Sequence, residues 1–220
     1  MKREIIVTSD GSTSIHLPDW DESYHSKHGA IQEAQHVFIK NGLSLFKGQS
    51  VSVLEIGFGT GLNAFITFLE SKKTNQSIEY LGVEGFPVAA AEVLQMNYVK
   101  QLNADEYELD FKHMHQSDWE KPVTINPNFR LTKRKQLFAE IVDINQFDLI
   151  YFDAFGYRVQ PELWSVEIFT KMHTALKSGG ILVTYACRGP IKRAMIEAGF
   201  QIEKLAGPPG KREMLRATKL

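Results

Sequence analysis

Short segments rich in β-branched and aromatic residues alternate along this chain with segments in which apolar residues recur every three or four positions. The first pattern is typical of buried strands and the second of helices with one buried face. Seven strands are predicted, over residues 51–57, 78–84, 129–138, 147–154, 181–186, 200–205 and 213–218. Because the two patterns alternate, we expect β-α-β units around a mostly parallel sheet of an α/β protein.

The clearest helical pattern covers residues 161–176, and Pro161 suits its first turn. A second helix is predicted over residues 189–198, and a third begins near Pro87. Residues 98–128 show no sustained period, so they receive no assignment.

The segment before the first core strand belongs to no β-α-β unit. Residues 4–17 indicate a hairpin that turns at Asp10-Gly11, and residues 29–42 indicate a helix closed by a glycine. We therefore predict an appendage of hairpin and helix at residues 1–45 and a Rossmann-like domain at residues 46–220.

Composition bounds the class of protein. The 220 residues are 43% hydrophobic, enough for one sizeable core, and no window approaches 18 consecutive apolar residues. The N-terminus lacks the layout of a signal peptide, and Cys187 is the single cysteine, so a cytoplasmic protein without disulfides or membrane contact is expected. The net charge of −1 allows only a local basic patch.

A glycine-rich loop follows the first core strand in the string VLEIGFGTGLN. Glycines at alternate positions permit a tight strand-to-helix turn and a close approach of backbone N–H groups to a ligand. Glu55 lies two residues before the first glycine, where a carboxylate would repel a pyrophosphate but suit the amino group and sulfonium of S-adenosylmethionine (SAM). Glu84 ends the next strand, near the interval at which such folds bind ribose hydroxyls. The predicted SAM ligands are Glu55, Gly57, Gly59, Gly61, Asn63 and Glu84.

Several longer strings together resemble one family. They are ESYHSKHGAIQEAQHVFI, LEIGFGTGLN, VEGFP, FDLIYFDAF followed by QPELW, TYACRGPIKRAMIEAGF and GPPGKREML. In this order they resemble the methyltransferase half of the bifunctional bacterial tRNA-modifying enzyme MnmC and its stand-alone relative MnmD. The resemblance implies a Rossmann-like SAM-dependent methyltransferase. It also implies methylation of the aminomethyl nitrogen of 5-aminomethyl-2-thiouridine at the tRNA wobble position, giving 5-methylaminomethyl-2-thiouridine.

The resemblance has two departures. MnmC has a flavin oxidase half, whereas this chain contains no G-x-G-x-x-G unit, so the oxidase step is expected to be absent or carried out elsewhere, with a separate protein as the candidate supplier of the aminomethyl substrate. The family's adenine-contacting aspartate aligns with Glu140, so a glutamate replaces it here. Asp118 is the alternative residue for this adenine contact. Tyr24 and Glu33 lie in the first string, which we interpret as a lid over SAM, with Tyr24 also near the substrate.

Methyl transfer to an amine requires a lone pair on nitrogen, and an alkyl amine with a pKa of roughly 10 is mostly protonated at neutral pH. Asp153 lies at the carboxyl end of a predicted strand, where open α/β sheets bind ligands. We expect Asp153 to orient the ammonium and accept its proton. A purely structural role for this carboxylate is the alternative.

Substrate contacts are predicted from aromatic and basic residues. Phe155 and Tyr157 could stack on the base, and a small buried thiol is favoured for Cys187 over a nucleophile for carbon methylation. Basic residues of the last 33 positions would contact tRNA phosphates, with Lys133-Arg134-Lys135 as a second run. Among these basic residues, Arg188, Lys211 and Arg212 are predicted to contact the tRNA substrate.

Two alternatives remain at this point. An aminopropyltransferase related to spermidine synthase, acting on a small amine, would share the fold and the acidic residue after the fourth strand. A binding module without catalysis would retain SAM or RNA binding alone. The seven histidines lack a supporting ligand set, so no metal site is predicted, and oligomeric state is left open.

Overall fold

The computed structural model describes residues 2–220. The chain begins with a small antiparallel sheet of β1 (Glu4–Val7), β2 (Thr13–Leu17) and β3 (Glu22–Ser23). Helix α1 (Ala30–Ala34) follows and continues as a π-helical stretch over Gln35–Lys40. The predicted hairpin and helix are both present, and β3 adds a third strand that the sequence pattern did not indicate.

An eight-stranded sheet forms the centre of the molecule. Its members are β4 (Val51–Ile56), β5 (Ile78–Val83), β6 (Val123–Asn126), β7 (Phe129–Arg134), β8 (Phe147–Phe152), β9 (Leu176–Thr184), β10 (Gln201–Ala206) and β11 (Glu213–Thr218). The strand order is β10-β11-β9-β8-β4-β5-β7-β6. The five strands from β7 to β9 are parallel, whereas β11 and β6 run antiparallel to their inner neighbours.

Alternation of apolar residues along the parallel strands places side chains on two buried faces. Val53 and Tyr80 pack on one face with helices α2 (Leu62–Thr74) and α5 (Glu108–Gln116). Leu54 and Leu81 pack on the other with α6 (Val166–Ala175) and α7 (Gly189–Glu197). The remaining α-helices are the short α3 (Ala90–Val93) and α4 (Tyr98–Gln101).

The α/β Rossmann-like fold is confirmed, with one strand more than predicted. The additional strand, β6, lies in the unassigned segment 98–128, and its burial pattern contains a single buried residue, Ile125. An edge strand this short provides too few apolar positions for a period-2 signal.

Several element boundaries differ from the predictions. The strand predicted over residues 181–186 begins at Leu176, which already pairs with Phe147 of β8, and ends at Thr184. The predicted strand 129–138 ends at Arg134 because the chain then turns through a 3-10 segment, Phe138–Glu140. The predicted helix 161–176 begins as a 3-10 turn, Pro161–Trp164, and α6 starts after Ser165, whose hydroxyl accepts the Ile168 N–H at 3.4 Å.

The appendage packs on the sheet. The rings of Phe38, after α1, and Tyr151, on β8, lie 4.9 Å apart, and Ile15 of β2 belongs to the same buried cluster as Val183 of β9. This packing brings the loop between β2 and α1 to the carboxyl ends of the parallel strands. Within residues 2–220, no helix is long and apolar enough to cross a membrane.

Candidate active site

A cavity of about 1110 Å³ opens at the carboxyl ends of β4, β5 and β8. Its wall comes from the segments that follow these strands and β9, from the first residues of the helix that begins at Val166, from the appendage and from the loop before β11. The wall residues used below are Trp20, Tyr24, Glu33, Gly57, Gly59, Asn63, Glu84, Asp153, Phe155, Tyr185 and Lys211. A ligand-sized space at this edge of a parallel sheet is the expected location of a binding site.

The glycine loop after β4 forms the floor of the cavity. Gly57, Gly59 and Gly61 have φ of +92°, +49° and +73°, a region that residues with a Cβ adopt rarely. A Cβ on Gly57 would lie 2.7 Å from the backbone oxygen of Asp153, and one on Gly59 would lie 3.2 Å from the Tyr24 ring. The loop therefore approaches both neighbours as closely as glycine allows.

Glu84, after β5, holds this loop in place. One of its carboxylate oxygens accepts the Gly59 N–H at 3.0 Å, and the other accepts the Phe86 N–H at 2.8 Å. Each oxygen keeps a second lone pair, so the carboxylate can still accept hydrogen bonds from a ligand's hydroxyl groups.

A buried hydrogen-bonded chain connects Glu55 to Asp153 through Asn63. The Asn63 Nδ2 lies 2.9 Å from Glu55 Oε1 and 2.8 Å from Asp153 Oδ2, and it donates to both. The hydroxyl of Tyr80 donates to Glu55 Oε2 at 2.8 Å. Asn63 is predicted as a SAM ligand, but its side-chain amide donates both hydrogens to these carboxylates. Its buried Oδ1 has no hydrogen-bond partner in residues 2–220. Glu55, also predicted as a SAM ligand, is 0% exposed and does not line the cavity, so it supports the site through Asn63.

Both carboxylates that Asn63 connects, Glu55 and Asp153, have raised pKa values. Burial raises the pKa of Glu55 well above its usual range, against the hydrogen bonds from Tyr80 and Asn63. Burial, and then the negative charge of Glu33, raise the pKa of Asp153 to about 7, against the Asn63 hydrogen bond and the Lys211 charge. A carboxyl group with a pKa near neutrality can release and accept a proton under working conditions.

Three aromatic side chains form one side of the cavity. The Phe155 ring contacts Tyr24 and Trp20 edge to face, with centroids 5.0 and 5.8 Å away. Arg158 fixes this arrangement by donating to the backbone oxygens of Trp20 and Asp21, each at 2.8 Å. Sequence reasoning missed Trp20 and Arg158, because nothing in the local pattern places the turn after β2 beside the loop after β8.

Other predicted residues lie outside the cavity wall. Tyr157 is half-buried and packs against the core cluster that also contains residues of α6 and α7. The Glu140 carboxylate accepts the Leu137 N–H at 3.0 Å and caps its own turn, so the structure brings Leu137 to the cavity but not the Glu140 side chain. The rival Asp118 is exposed and pairs with Lys121 at 2.8 Å.

The predicted basic contacts separate into two groups. Arg188 and Arg212 are exposed, and neither forms an ion pair in the described part of the chain. Lys211 instead points toward the cavity, where its ammonium pairs with Glu33. In the second basic run, Lys133 is 1% exposed and donates to the His115 backbone oxygen, while Arg134 pairs with Asp143, so these two side chains face inward.

The remaining chemistry-bearing residues are not in the cavity wall. The Cys187 thiol lies 3.5 Å from a carboxylate oxygen of Glu213 and does not line the cavity. Burial and this carboxylate raise the pKa of the thiol, which opposes a nucleophilic role. In residues 2–220, no three His, Cys, Asp or Glu side chains converge as a metal site would require.

The residues of the loop fit SAM. The three positive-φ glycines keep the floor of the cavity free of side chains, while their own N–H groups donate within the protein to Val83, Glu84 and Phe58. Glu84 provides a carboxylate at the neighbouring strand end. The lysines and arginines of the cavity wall already have partners that would compete with a phosphate: Arg3 pairs with Glu92, Lys27 with Asp21 and Lys211 with Glu33, and Lys171 donates to the Ile141 backbone oxygen.

The family model for S-adenosyl-L-methionine-dependent methyltransferases matches residues 95–220. Among curated proteins, the chain is 30% identical over 217 residues to the tRNA 5-methylaminomethyl-2-thiouridine biosynthesis bifunctional protein MnmC of Idiomarina loihiensis, covering 89% of this chain and 35% of that protein. It is 25% identical to the protein of the same name from Hydrogenovibrio crunogenus, covering 89% of this chain and 31% of that one. The chain thus spans about a third of the length of these relatives.

Solved structures show the same fold. The MNMC2 structure from Aquifex aeolicus matches with a TM-score of 0.80 and 21% identity, covering 99% of this chain and 70% of that one. The spermidine synthase of Thermotoga maritima matches with a TM-score of 0.51 and 15% identity, over 98% of this chain and 72% of that one. At these identities the likenesses concern the fold alone. By its family model, the chain belongs to the S-adenosyl-L-methionine-dependent methyltransferases, and SAM is its cofactor.

Proposed function

We propose that this protein methylates the aminomethyl nitrogen of 5-aminomethyl-2-thiouridine at the wobble position of tRNA. The observation that carries the proposal is Asp153, whose carboxylate lies in the cavity beside the glycine loop with a pKa raised to about 7. The names of the MnmC relatives, which refer to biosynthesis of the methylated nucleoside, support this substrate.

Bound SAM supplies a methyl group activated by a sulfonium, and the protein must present an amine with a free lone pair. The substrate amine enters mostly as an ammonium ion, because its pKa is roughly 10. Asp153 accepts one proton from this ammonium and orients the nitrogen through a charge-assisted hydrogen bond. Asn63 keeps the carboxylate pointed into the cavity by donating to Oδ2, which leaves Oδ1 for the amine.

The aromatic wall suits the base that bears the amine. Proteins recognise unpaired RNA bases by stacking them on aromatic side chains, and Phe155 and Tyr24 lie in the cavity wall near Asp153. Outside the cavity, the exposed Arg188 and Arg212 bind tRNA phosphates. We assign Gly57, Gly59, Gly61 and Glu84 to SAM, and Glu55 and Asn63 to the support of this site.

The substrate requires an earlier reaction that installs the aminomethyl group on uridine. We propose that residues outside those described here carry out that step, because the glycine loop of the cavity lacks the G-x-G-x-x-G spacing of a flavin site.

The test uses the purified chain, SAM and tRNA that contains 5-aminomethyl-2-thiouridine, followed by mass spectrometry of the digested nucleosides. The expected result is 5-methylaminomethyl-2-thiouridine with the wild-type chain and loss of product with Asp153→Ala. Asp118→Ala is the matched control, because this exposed carboxylate lies outside the cavity and should leave the rate unchanged.

A parallel reaction separates the proposal from amine chemistry on small molecules. Putrescine with decarboxylated SAM should give no aminopropyl product. Formation of that product, or an unchanged nucleoside profile with modified tRNA, would contradict the proposed function. Retained methylation by Asp153→Ala with intact SAM binding would remove Asp153 from the reaction.

A further inference from the structure

Two residues separated by 178 positions form an ion pair in the wall of the cavity. The Nζ of Lys211, in the loop before β11, pairs with Oε1 of Glu33 on α1, and the other oxygen of Glu33 accepts the Ser26 N–H at 3.0 Å. Glu33 is 7% exposed, whereas the Lys211 side chain is 30% exposed, so only the carboxylate of the pair is removed from water. A half-buried pair whose carboxylate has a second partner has a more defined geometry than a surface pair.

An aromatic ring holds the lysine from its other side. The Lys211 Nζ lies 3.8 Å from the centroid of the Tyr185 ring, a cation–π distance, and the Tyr185 hydroxyl donates at 2.8 Å to the backbone oxygen of Ala154. Ala154 follows Asp153 directly. Lys211 is therefore fixed next to the segment that bears Asp153 without being bonded to its carboxylate.

Asp153 itself has no ion-pair partner among the lysines and arginines of residues 2–220. Its hydrogen-bond donor there is Asn63, at 2.8 Å. The titratable groups that act on it from the surrounding elements are Glu33 of α1, Glu55 of β4, Tyr80 of β5, Tyr185 after β9 and Lys211 before β11. Lys211 is the only cation in this set, so it is the group that could compete with a substrate ammonium for the carboxylate.

We propose that Glu33 and Lys211 are a positioning pair: Glu33 retains the Lys211 ammonium against Tyr185 and so keeps the Asp153 carboxylate free for the ammonium of the substrate. This inference rests on the proposed function and assigns Lys211 to the cavity rather than to tRNA phosphates. Its physical basis is competition between the Lys211 ammonium and the substrate ammonium for the Asp153 carboxylate. Glu33 decides this competition because it gives Lys211 a stronger and better-oriented partner.

The pair has opposite effects on Asp153. The Glu33 charge raises the pKa of Asp153 and the Lys211 charge lowers it. In Glu33→Gln, the lysine loses its partner and turns to Asp153, so the Asp153 titration should move to lower pH. In Lys211→Met, the same titration should move to higher pH. Lys204→Met is the matched control, because Lys204 is exposed and pairs with Glu213 outside the cavity, and no shift is expected there.

The direct experiment is an NMR titration of Asp153 in protein with isotope-labelled aspartate, with the resonance assigned through Asp153→Asn. It requires no turnover, so it tests the pair even if the wild-type chain fails to methylate tRNA, which would contradict the proposed function alone. Shifts of the same sign in Glu33→Gln and Lys211→Met, or no shift in either, would overturn the inference.

Kinetics with modified tRNA give the second readout. Glu33→Gln should raise the KM for tRNA more than it lowers kcat, since Lys211 then occupies the carboxylate in the free enzyme. The double variant Glu33→Gln/Lys211→Met removes both charges and should restore KM toward the wild-type value. A double variant with a KM as high as that of Glu33→Gln would contradict competition by Lys211, and it remains informative if Lys211→Met alone fails to fold.

Discussion

The side-chain amide of Asn63 lies 2.8 Å from the carboxylate of Asp153 and donates to it with the same nitrogen that bonds Glu55 at 2.9 Å. One amide thus separates two buried carboxylates, one at the end of β4 and the other just after β8. Two adjacent carboxylates repel each other when both are ionised, and a shared donor reduces that repulsion.

Replacing Asn63 by leucine removes the shared donor. Because the Asn63 hydrogen bond lowers the pKa of Asp153, that pKa should rise in Asn63→Leu, and the rise of kcat with pH should move to higher pH. The free energy of unfolding should fall by about 1–3 kcal/mol, the usual effect of leaving buried polar groups unpaired. A pH–rate profile and denaturant unfolding measure the two effects.

The control for this substitution is Gln95→Leu, an exposed amide that bonds only the Ala91 backbone oxygen. It should change neither quantity. A pH–rate profile of Asn63→Leu that overlays that of the wild type would show that Asn63 does not act on Asp153.

Because burial raises the pKa of Asp153, ionisation of this carboxyl group should destabilise the folded state. The native state binds a proton more tightly than the unfolded chain, whose carboxyl has a pKa of 3.8, so the wild type loses stability as pH rises from about 4 to about 7. Above about pH 7, Asp153→Asn should therefore unfold at a higher temperature than the wild type. Its free energy of unfolding should be larger by up to about a few kcal/mol. The gain should vanish near pH 4, where both states bind the proton. Thermal unfolding without ligands at several pH values checks this, and a gain independent of pH would be inconsistent with it.

Gly57→Ala should abolish SAM binding. Its Cβ would lie 2.7 Å from the Asp153 backbone oxygen, and the positive φ adds strain of order 1–3 kcal/mol. The control is Gly48→Ala, where φ is also positive at +76° but nothing lies within 4 Å of the Cβ, so strain appears without loss of affinity. Titration calorimetry with SAM distinguishes them, and equal affinities would mean that the loop does not form the cofactor site.

Phe155→Ala should weaken binding of the modified tRNA without changing the affinity for SAM. Base stacking on an aromatic side chain contributes about 1–3 kcal/mol, or roughly a 5- to 150-fold increase in KM when it is lost. Tyr157→Ala should leave KM close to the wild-type value, because Tyr157 packs against the core and does not line the cavity. Steady-state kinetics at saturating SAM measure both variants, and a larger effect at Tyr157 would reverse the two assignments.

The exposed arginines should contribute to salt-dependent binding of tRNA. Arg188→Gln and Arg212→Gln should each reduce the slope of log affinity against log salt concentration by about 1, the value for one phosphate contact. Lys121→Gln is the control, because Lys121 lies just before β6, at the opposite edge of the sheet from β10. Filter binding across a salt series provides the slopes. Slopes that stay unchanged in both arginine variants would argue against this surface.

Local patterns predicted the parts of the site that adjoin strand ends. The glycines, Glu55, Glu84 and Asp153 each lie at the end of or just after a strand whose apolar composition is visible in the sequence. Since parallel strands present their carboxyl ends on one edge, the convergence of these residues follows from topology. Topology did not determine where each side chain points. Asn63 and Glu140 were both predicted to bind SAM, but Asn63 donates to two carboxylates and Glu140 caps its own turn.

The sequence alone determined the α/β class, the SAM motif and the candidate carboxylate, because each depends on residues within a strand and the loop that follows it. Only the tertiary structure decided that Glu33 meets Lys211, that Trp20 meets Phe155, and that Asn63 joins Glu55 to Asp153. These contacts depend on how the appendage packs against the sheet and on which rotamers that packing permits. Such long-range contacts have no periodic signature in the chain, yet they determine the charge and orientation of Asp153.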